Sequence, residues 1–401
     1  MDRREFLRLA VGAAAIGSNW RLWAAPTGNS GARFLFVFLR GGYDALSALV
    51  PYGDAFYYES RPHIAIARPD TANPDSALKL DDRWGLHPLL ADSMLPLYQR
   101  GQLVFVPFAG PDFLSRSHFQ AQDWIELGQP PIPNPDYSSG FLNRLLARLS
   151  GSIRAVSFTQ ELPLVLRGGR QVVNLPITRS SGMPIEAGHG ELIQQMYAGH
   201  TLESMVRDGM GLRLDIAQEL KEEMQVASRG ALPPSSFASE AIHIGHLLRD
   251  HPEYTLGFVD VGGWDTHVGQ GGAHGRLANH LHNLGAGLNG LADAMGPSWQ
   301  NTVVVVLSEF GRTFRENGNR GTDHGHGTTM WVLGGGLKSG PGIRGRQVAL
   351  DRQHLNEDRD LPVLNEYRGL LGGLFQRMYG MSVSDLAEVF PRGEAIDIGL
   401  V

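Results

Sequence analysis

In Thr302-Val303-Val304-Val305-Val306-Leu307-Ser308-Glu309-Phe310-Gly311-Arg312, an unbroken valine and leucine run gives way to a carboxylate, an aromatic ring, a glycine and an arginine. A strand with one wet face alternates apolar and polar side chains. This run does not alternate, which predicts a strand covered on both faces, as in parallel sheets. Four further runs read the same way: Phe34–Leu39, Leu103–Phe108, Tyr254–Val261 and Met330–Leu333. Between them lie helical patterns. Leu277, Leu281, Leu284, Leu288 and Leu291 are spaced four-three-four-three, which puts all five on one helical stripe. Asn365–Tyr379 reads as another covering helix. Strands alternating with helices predict an α/β fold, a central mostly parallel sheet with helices on both faces. Residues 26–401 are read as one domain, with a helical insertion expected at about 188–250.

The residues just past each strand carry the functional signal. Phe34–Leu39 runs into Arg40-Gly41-Gly42-Tyr43-Asp44, and Tyr254–Val261 into Gly262-Gly263-Trp264-Asp265-Thr266-His267. Gly321-Thr322-Asp323-His324-Gly325-His326-Gly327 precedes the last run. Ligand sites in open α/β sheets form beyond the carboxyl ends of the strands. Carboxylates and imidazoles therefore point to one edge. Asp265 with His267, and Asp323 with His324 and His326, are mixed oxygen and nitrogen donor sets suited to zinc, manganese or iron. The competing reading is that they cap turns and helices. Glu309 is open to three roles: ligand, general base or partner of Arg312. Asp44 is read as either a ligand or a loop cap. His274, His280 and His282 fall on or beside the leucine-striped helix and are read as surface residues.

Ser117 followed by Gln120 has capping-box spacing and predicts a helix start. A helix start presents free N–H groups and the positive end of its dipole to an anion, and Arg116 adds charge. A serine hydroxyl there, activated by a metal, is positioned to attack phosphorus or sulfur. No G-x-S-x-G elbow and no P-loop are present.

The chain ends and composition narrow the class. Arg3-Arg4 precedes Phe6-Leu7, a short apolar run from Leu9 to Gly17, and Ala24-Ala25 before Pro26. This is the layout of a twin-arginine signal peptide over residues 1–25. The apolar run is far short of the ~20 residues needed to span a bilayer, so no stable membrane span is expected in the mature form. The export machinery is thus an expected partner and the periplasm, or another exported location, the expected destination. There are no cysteines, which excludes disulfides. A net charge of −6, without a dense basic block, argues against nucleic acid.

Five blocks in order resemble a known family. They are Phe38-Leu39-Arg40-Gly41-Gly42-Tyr43-Asp44, Ser117-His118-Phe119, Gly263-Trp264-Asp265-Thr266-His267, Ser308-Glu309-Phe310-Gly311-Arg312-Thr313 and Asp323-His324-Gly325-His326-Gly327. Together they are similar to the bacterial family known as domain of unknown function 1501, grouped with the alkaline phosphatase and sulfatase superfamily. The resemblance implies an alkaline-phosphatase-like core, a metal pair near the strand ends and a hydroxyl nucleophile at a helix start. It implies that Asp265 and His267 are ligands, at closer spacing than usual in the superfamily. Ser308-Glu309-Phe310-Gly311 stands where relatives carry a Ser-Asp-His-Gly type sequence, so Glu309 replaces the aspartate and Phe310 the imidazole. His324 or His326 resembles the late histidine ligand, and Asp44 a displaced first-strand aspartate. Ser117 is the implied nucleophile, with Ser115 as its rival, and Arg116 or Arg40 would offset charge on the transferred group.

The expected function is an exported metal-dependent hydrolase of a phosphate or sulfate ester, carried on a small molecule or a polymer. Zinc or manganese is the expected divalent ion, with calcium or iron next. The alternative is a non-catalytic binding or assembly protein that keeps the fold. A transferase or mutase on the same scaffold is the third option.

Overall fold

The computed structural model describes residues 31–151, 153–176 and 227–401. The signal-peptide segment and most of the expected insertion lie outside the described residues. Twelve strands are described: β1 (Arg33–Leu39), β2 (Leu49–Val50), β3 (Leu78–Lys79), β4 (Gly85–Leu86), β5 (Leu103–Gly110), β6 (Arg154–Ser157), β7 (Val172–Asn174), β8 (Tyr254–Val261), β9 (Thr302–Ser308), β10 (Thr328–Leu333), β11 (Gly342–Ile343) and β12 (Asn365–Glu366). Nine form the central sheet in the order β11-β5-β10-β9-β1-β8-β6-β7, with β12 beside β5; β2, β3 and β4 form a small antiparallel sheet.

β9, β1, β8, β6 and β7 run parallel. β10 runs antiparallel to both its neighbours, β5 and β9. This reversal positions the site. The carboxyl ends of β1, β8 and β9 share one edge of the sheet, and the reversed β10 brings its amino end to that same edge. The residues after three strands and those before a fourth therefore meet.

The runs that do not alternate are buried on both faces, as their composition predicts. Along β1, Leu35, Val37 and Leu39 enter one core while Phe34, Phe36 and Phe38 enter the other. The first core is covered by helix Arg276–Met295, whose five striped leucines are all buried, and by helix Pro234–Asp250. The second is covered by helices Phe141–Arg148 and Tyr367–Tyr379. Helix Pro234–Asp250 falls in the expected insertion, but Phe237, Ala241, Ile244 and Leu248 belong to the core. That part of the segment is a layer of the core.

Candidate metal centre

Helix His118–Leu127 lies across the strand ends. His118, Gln122 and Glu126 recur every four residues on its inward side, so one polar ridge faces the sheet edge, and all three are buried. Gln122 Nε2 donates to Glu309 Oε1 at 3.0 Å, and Gln122 Oε1 accepts from Arg40 Nη1 at 2.9 Å.

His118 begins this ridge and belongs to the centre. Its Nε2 lies 2.9 Å from His324 Nε2 and 3.3 Å from Asp265 Oδ2. His267 Nε2 lies 2.9 Å from both His324 Nε2 and Asp265 Oδ1, and His324 Nε2 is 3.2 Å from the same oxygen. Three imidazoles and one carboxylate converge. Each imidazole is also held from behind by an acceptor: His118 Nδ1 by Glu309 Oε1 at 2.7 Å, His267 Nδ1 by Asp323 Oδ1 at 3.3 Å, and His324 Nδ1 by the Arg116 carbonyl at 2.8 Å. With a metal bound, a donor proton on each Nδ1 would direct the Nε2 lone pairs inward, the arrangement by which outer carboxylates and carbonyls orient metal-binding histidines. Inward lone pairs this close repel unless positive charge lies between them.

Two observations show that the pocket attracts such charge. Asp265 Oδ2 is buried and makes no hydrogen bond. Burial by itself would lower the His118 pKa, but Asp265 and Glu309 outweigh it and raise the value to about 9. Burial would likewise raise Asp265. The three imidazoles and the Arg312 guanidinium overcome this and hold its carboxyl well below the usual range. His118, Asp265 and His324 form a group able to hold a metal ion, and His267 stands beside it.

Local backbone explains the convergence. Trp264 is fully buried and donates its indole N–H to the Val261 carbonyl, which anchors the loop that carries Asp265 and His267. Gly41 has φ +122°, and a Cβ there would stand 2.7 Å from the Asp265 amide, so glycine lets the β1 loop close on that residue. Segments 311–313 and 323–326 pair through a bridge between Arg312 and His324, setting both side chains beside Asp265.

The other candidates fall into distinct places. Asp323 backs His267 and also accepts from Asn317 Nδ2 at 2.9 Å. Glu309, a candidate ligand in sequence, stands behind His118; its Oε1 also accepts from the Gly41 N–H at 2.8 Å, and its Oε2 from Ser308 Oγ at 2.9 Å. Asp44 is drawn away by Arg61, with contacts of 2.6 and 3.0 Å, and also accepts from Ser47 and Gln270. Neither of its two readings is seen, since the carboxylate caps no backbone N–H and instead closes an ion pair. His326 Nε2 lies 3.1 Å from the Pro111 carbonyl, outside the cluster, and burial lowers its pKa. Arg40 is not free to meet an anion, because Asp260, Glu126 and Gln122 surround it at 2.6, 2.9 and 2.9 Å. Arg40, Glu126 and Asp260 line a cleft of about 400 Å³ with Asp123, Tyr137 and Arg167.

Ser117 sits at the amino end of its helix as expected and is exposed, but the capping box does not form. The Gln120 side chain turns instead to accept from Ser115 Oγ at 2.7 Å, and the Ser117 hydroxyl makes no capping bond to the backbone. Arg116 Nη2 is held by Glu357 and Asp360 at 2.8 and 3.2 Å. Of the three histidines read as surface residues, His274 and His282 are exposed. His280 is half-buried against Trp264, where burial pushes its pKa down to about 4.

The fold and site define an α/β protein with a histidine-rich candidate metal centre at the strand ends. The chain belongs to the family described as Protein of unknown function (DUF1501), whose model matches residues 32–383. No curated protein matches it at a significant level. Similar solved structures include a protein in the alkaline phosphatase superfamily from Vibrio parahaemolyticus, with 13% identity and a TM-score of 0.36 over 86% of this chain and 71% of that one. Another is Ps i-CgsB in complex with k-i-k-neocarrahexaose, with 7% identity and a TM-score of 0.44 over 90% of this chain and 74% of that one. A third is the lipoteichoic acid synthase LtaP from Listeria monocytogenes, with 8% identity and a TM-score of 0.39 over 92% of this chain and 75% of that one.

Proposed function

We propose that this protein is an exported metal-dependent hydrolase of phosphate or sulfate esters. The observation that carries the reading is the convergence of three imidazole Nε2 atoms on Asp265, each imidazole held from behind, next to an exposed serine at a helix start. His118, His267, His324 and Asp265 would hold the ion. Three imidazoles with one carboxylate suit zinc, manganese or iron, and they disfavour calcium, which takes oxygen ligands. A divalent ion bound there supplies a Lewis acid that polarises an ester oxygen.

The protein's own groups do the remaining work. The N–H groups at the start of helix His118–Leu127 receive the anionic group. The Ser117 hydroxyl, free of any capping duty, is the nucleophile, and Ser115 is engaged with Gln120. Arg116 lends charge at the same helix end while its Nη2 stays tied to Glu357 and Asp360. Arg3-Arg4 supports export by the twin-arginine route to the periplasm. Among the described residues, no helix is long and apolar enough to cross a membrane.

The test is turnover of aryl phosphate and aryl sulfate esters by metal-loaded protein. Ser117→Ala should abolish it with normal metal content and a stability change within about 0.5 kcal/mol, since the side chain caps nothing. Activity surviving in Ser117→Ala would refute the assigned nucleophile. A second reading, a non-catalytic binding protein, draws on Arg312, whose guanidinium already stands 2.6 Å from Asp265. Metal-loaded wild type inert across a broad ester panel would favour it.

A further inference from the structure

The resemblance to the alkaline phosphatase and sulfatase superfamily implies a pair of ions, and the donor sets at the strand ends do not fit a pair. We infer that the centre takes one divalent ion, because the protein's own cations and hydrogen-bond donors occupy the carboxylates a second ion would need.

Glu309 Oε1 faces the Gly41 N–H, Gln122 Nε2 and His118 Nδ1 at 2.8, 3.0 and 2.7 Å. An oxygen surrounded by three donor hydrogens has no direction left for a cation. Its other oxygen accepts from Ser308 Oγ. Phe310 is next in the chain, buried, with its ring 4.9 Å from the His118 ring and 5.1 Å from the His324 ring. It offers no lone pair where an imidazole would offer one. A Cβ at Gly42 would come within 2.5 Å of the Phe310 ring, so the ring is wedged in place.

Asp323 Oδ1 is taken by Asn317 Nδ2 and His267 Nδ1 at 2.9 and 3.3 Å, and Asp44 and Asp265 each hold a buried guanidinium. Arg61, with no exposed surface, grips Asp44 through two nitrogens. Arg312 Nη1 lies 2.6 Å from Asp265 Oδ1, and Thr322 fixes the rest of its fork through Nε at 3.2 Å and Nη2 at 2.6 Å. Oδ2 is the oxygen left without a hydrogen bond, on the His118 side. Arg312 thereby selects which Asp265 oxygen meets the ion and sets fixed positive charge where a second ion would approach. Among the described residues, a single group of acidic and histidine side chains is able to hold a metal.

The inference shares the metal centre of the proposed function, but its test does not depend on turnover. Full-length mature protein is stripped with chelator and titrated with zinc or manganese. Bound metal is then counted by elemental analysis and calorimetry, and the manganese form is examined by electron paramagnetic resonance. One ion per chain and an isolated six-line manganese signal are expected. His118→Ala should retain no ion after gel filtration, and Asp44→Asn should still bind one. Two ions per chain, or an exchange-coupled manganese spectrum, would overturn the inference whether or not esters are hydrolysed. Wild-type protein that retains neither metal would overturn it as well. One ion without any ester turnover leaves the inference standing and removes the hydrolase reading.

Discussion

Replacing Glu309 with glutamine separates a residue that binds metal from one that holds a ligand in place. Glutamine has the same shape, and its carbonyl can take over Oε1, still accepting from Gly41, Gln122 and His118. Its amide nitrogen then faces Ser308 Oγ, whose own proton can go to the Leu39 carbonyl at 2.6 Å. No buried polar atom is orphaned, so the fold should survive. What disappears is the negative charge behind His118. Loss of such an outer partner costs about 10–100-fold in metal affinity, or about 1.4–2.7 kcal/mol. The assay is competition with a chelator of known affinity, using zinc or manganese at constant pH. It is run above pH 9, because His118, raised to about 9 by Asp265 and Glu309 against its burial, carries below that pH a proton that metal must displace. Affinity unchanged within about threefold would refute the outer-partner role assigned on structural grounds. Complete loss of binding in a folded variant would show Glu309 to be a ligand itself.

Metal removal should lower the melting temperature of the wild type, since an ion present at 100 times its Kd stabilises the fold by about 2.7 kcal/mol. The same chelation should move His267→Ala little, and equal shifts in the two proteins would count against the centre. His87 gives a pH prediction away from the metal. It is fully buried, Nδ1 accepts from the Leu89 N–H at 3.1 Å, and burial pushes its pKa down to about 4. A histidine depressed below its unfolded value near 6.5 contributes stability above that pH and loses it as pH falls toward 4, up to about 3 kcal/mol. His87→Asn keeps the acceptor for Leu89, so its urea-unfolding midpoint should fall less across that window; parallel curves would contradict the assignment. Changing Arg3 and Arg4 both to lysine should trap the precursor in the cytoplasm, and normal export yield would sink the twin-arginine reading.

Much of the sheet is legible along the chain because strand burial is a local pattern. The run Tyr254–Val261 is the strand β8 to the residue, and the five leucines mark helix Arg276–Met295. A fully buried run carries no direction, however, and Met330–Leu333 looks like the others although β10 runs backwards. That reversal is what takes His324 to the edge where β1, β8 and β9 end. His118 stands beside Ser117 in one of the five family-like blocks, and nothing in its immediate neighbours marks it as a ligand. The signal that could find it is the row His118, Gln122 and Glu126, polar positions every four residues on a helix that also buries Ala121 and Ile125.

Two stretches show where local reading stops. Gly41-Gly42-Tyr43-Asp44 and Gly262-Gly263-Trp264-Asp265 both come after buried strands and share the order glycine, glycine, aromatic, aspartate. Both aspartates are buried in the structure, and burying a carboxylate demands a compensating partner. Asp44 finds Arg61, 17 positions along the chain, and becomes a closed ion pair. Asp265 finds Arg312 on one oxygen and three imidazoles around it, drawn from 118, 267 and 324. Local composition is enough to place a carboxylate just beyond each of these two strands. Which one keeps an oxygen for an ion emerges on folding, because charge compensation depends on distance in space, and sheet order sets that distance.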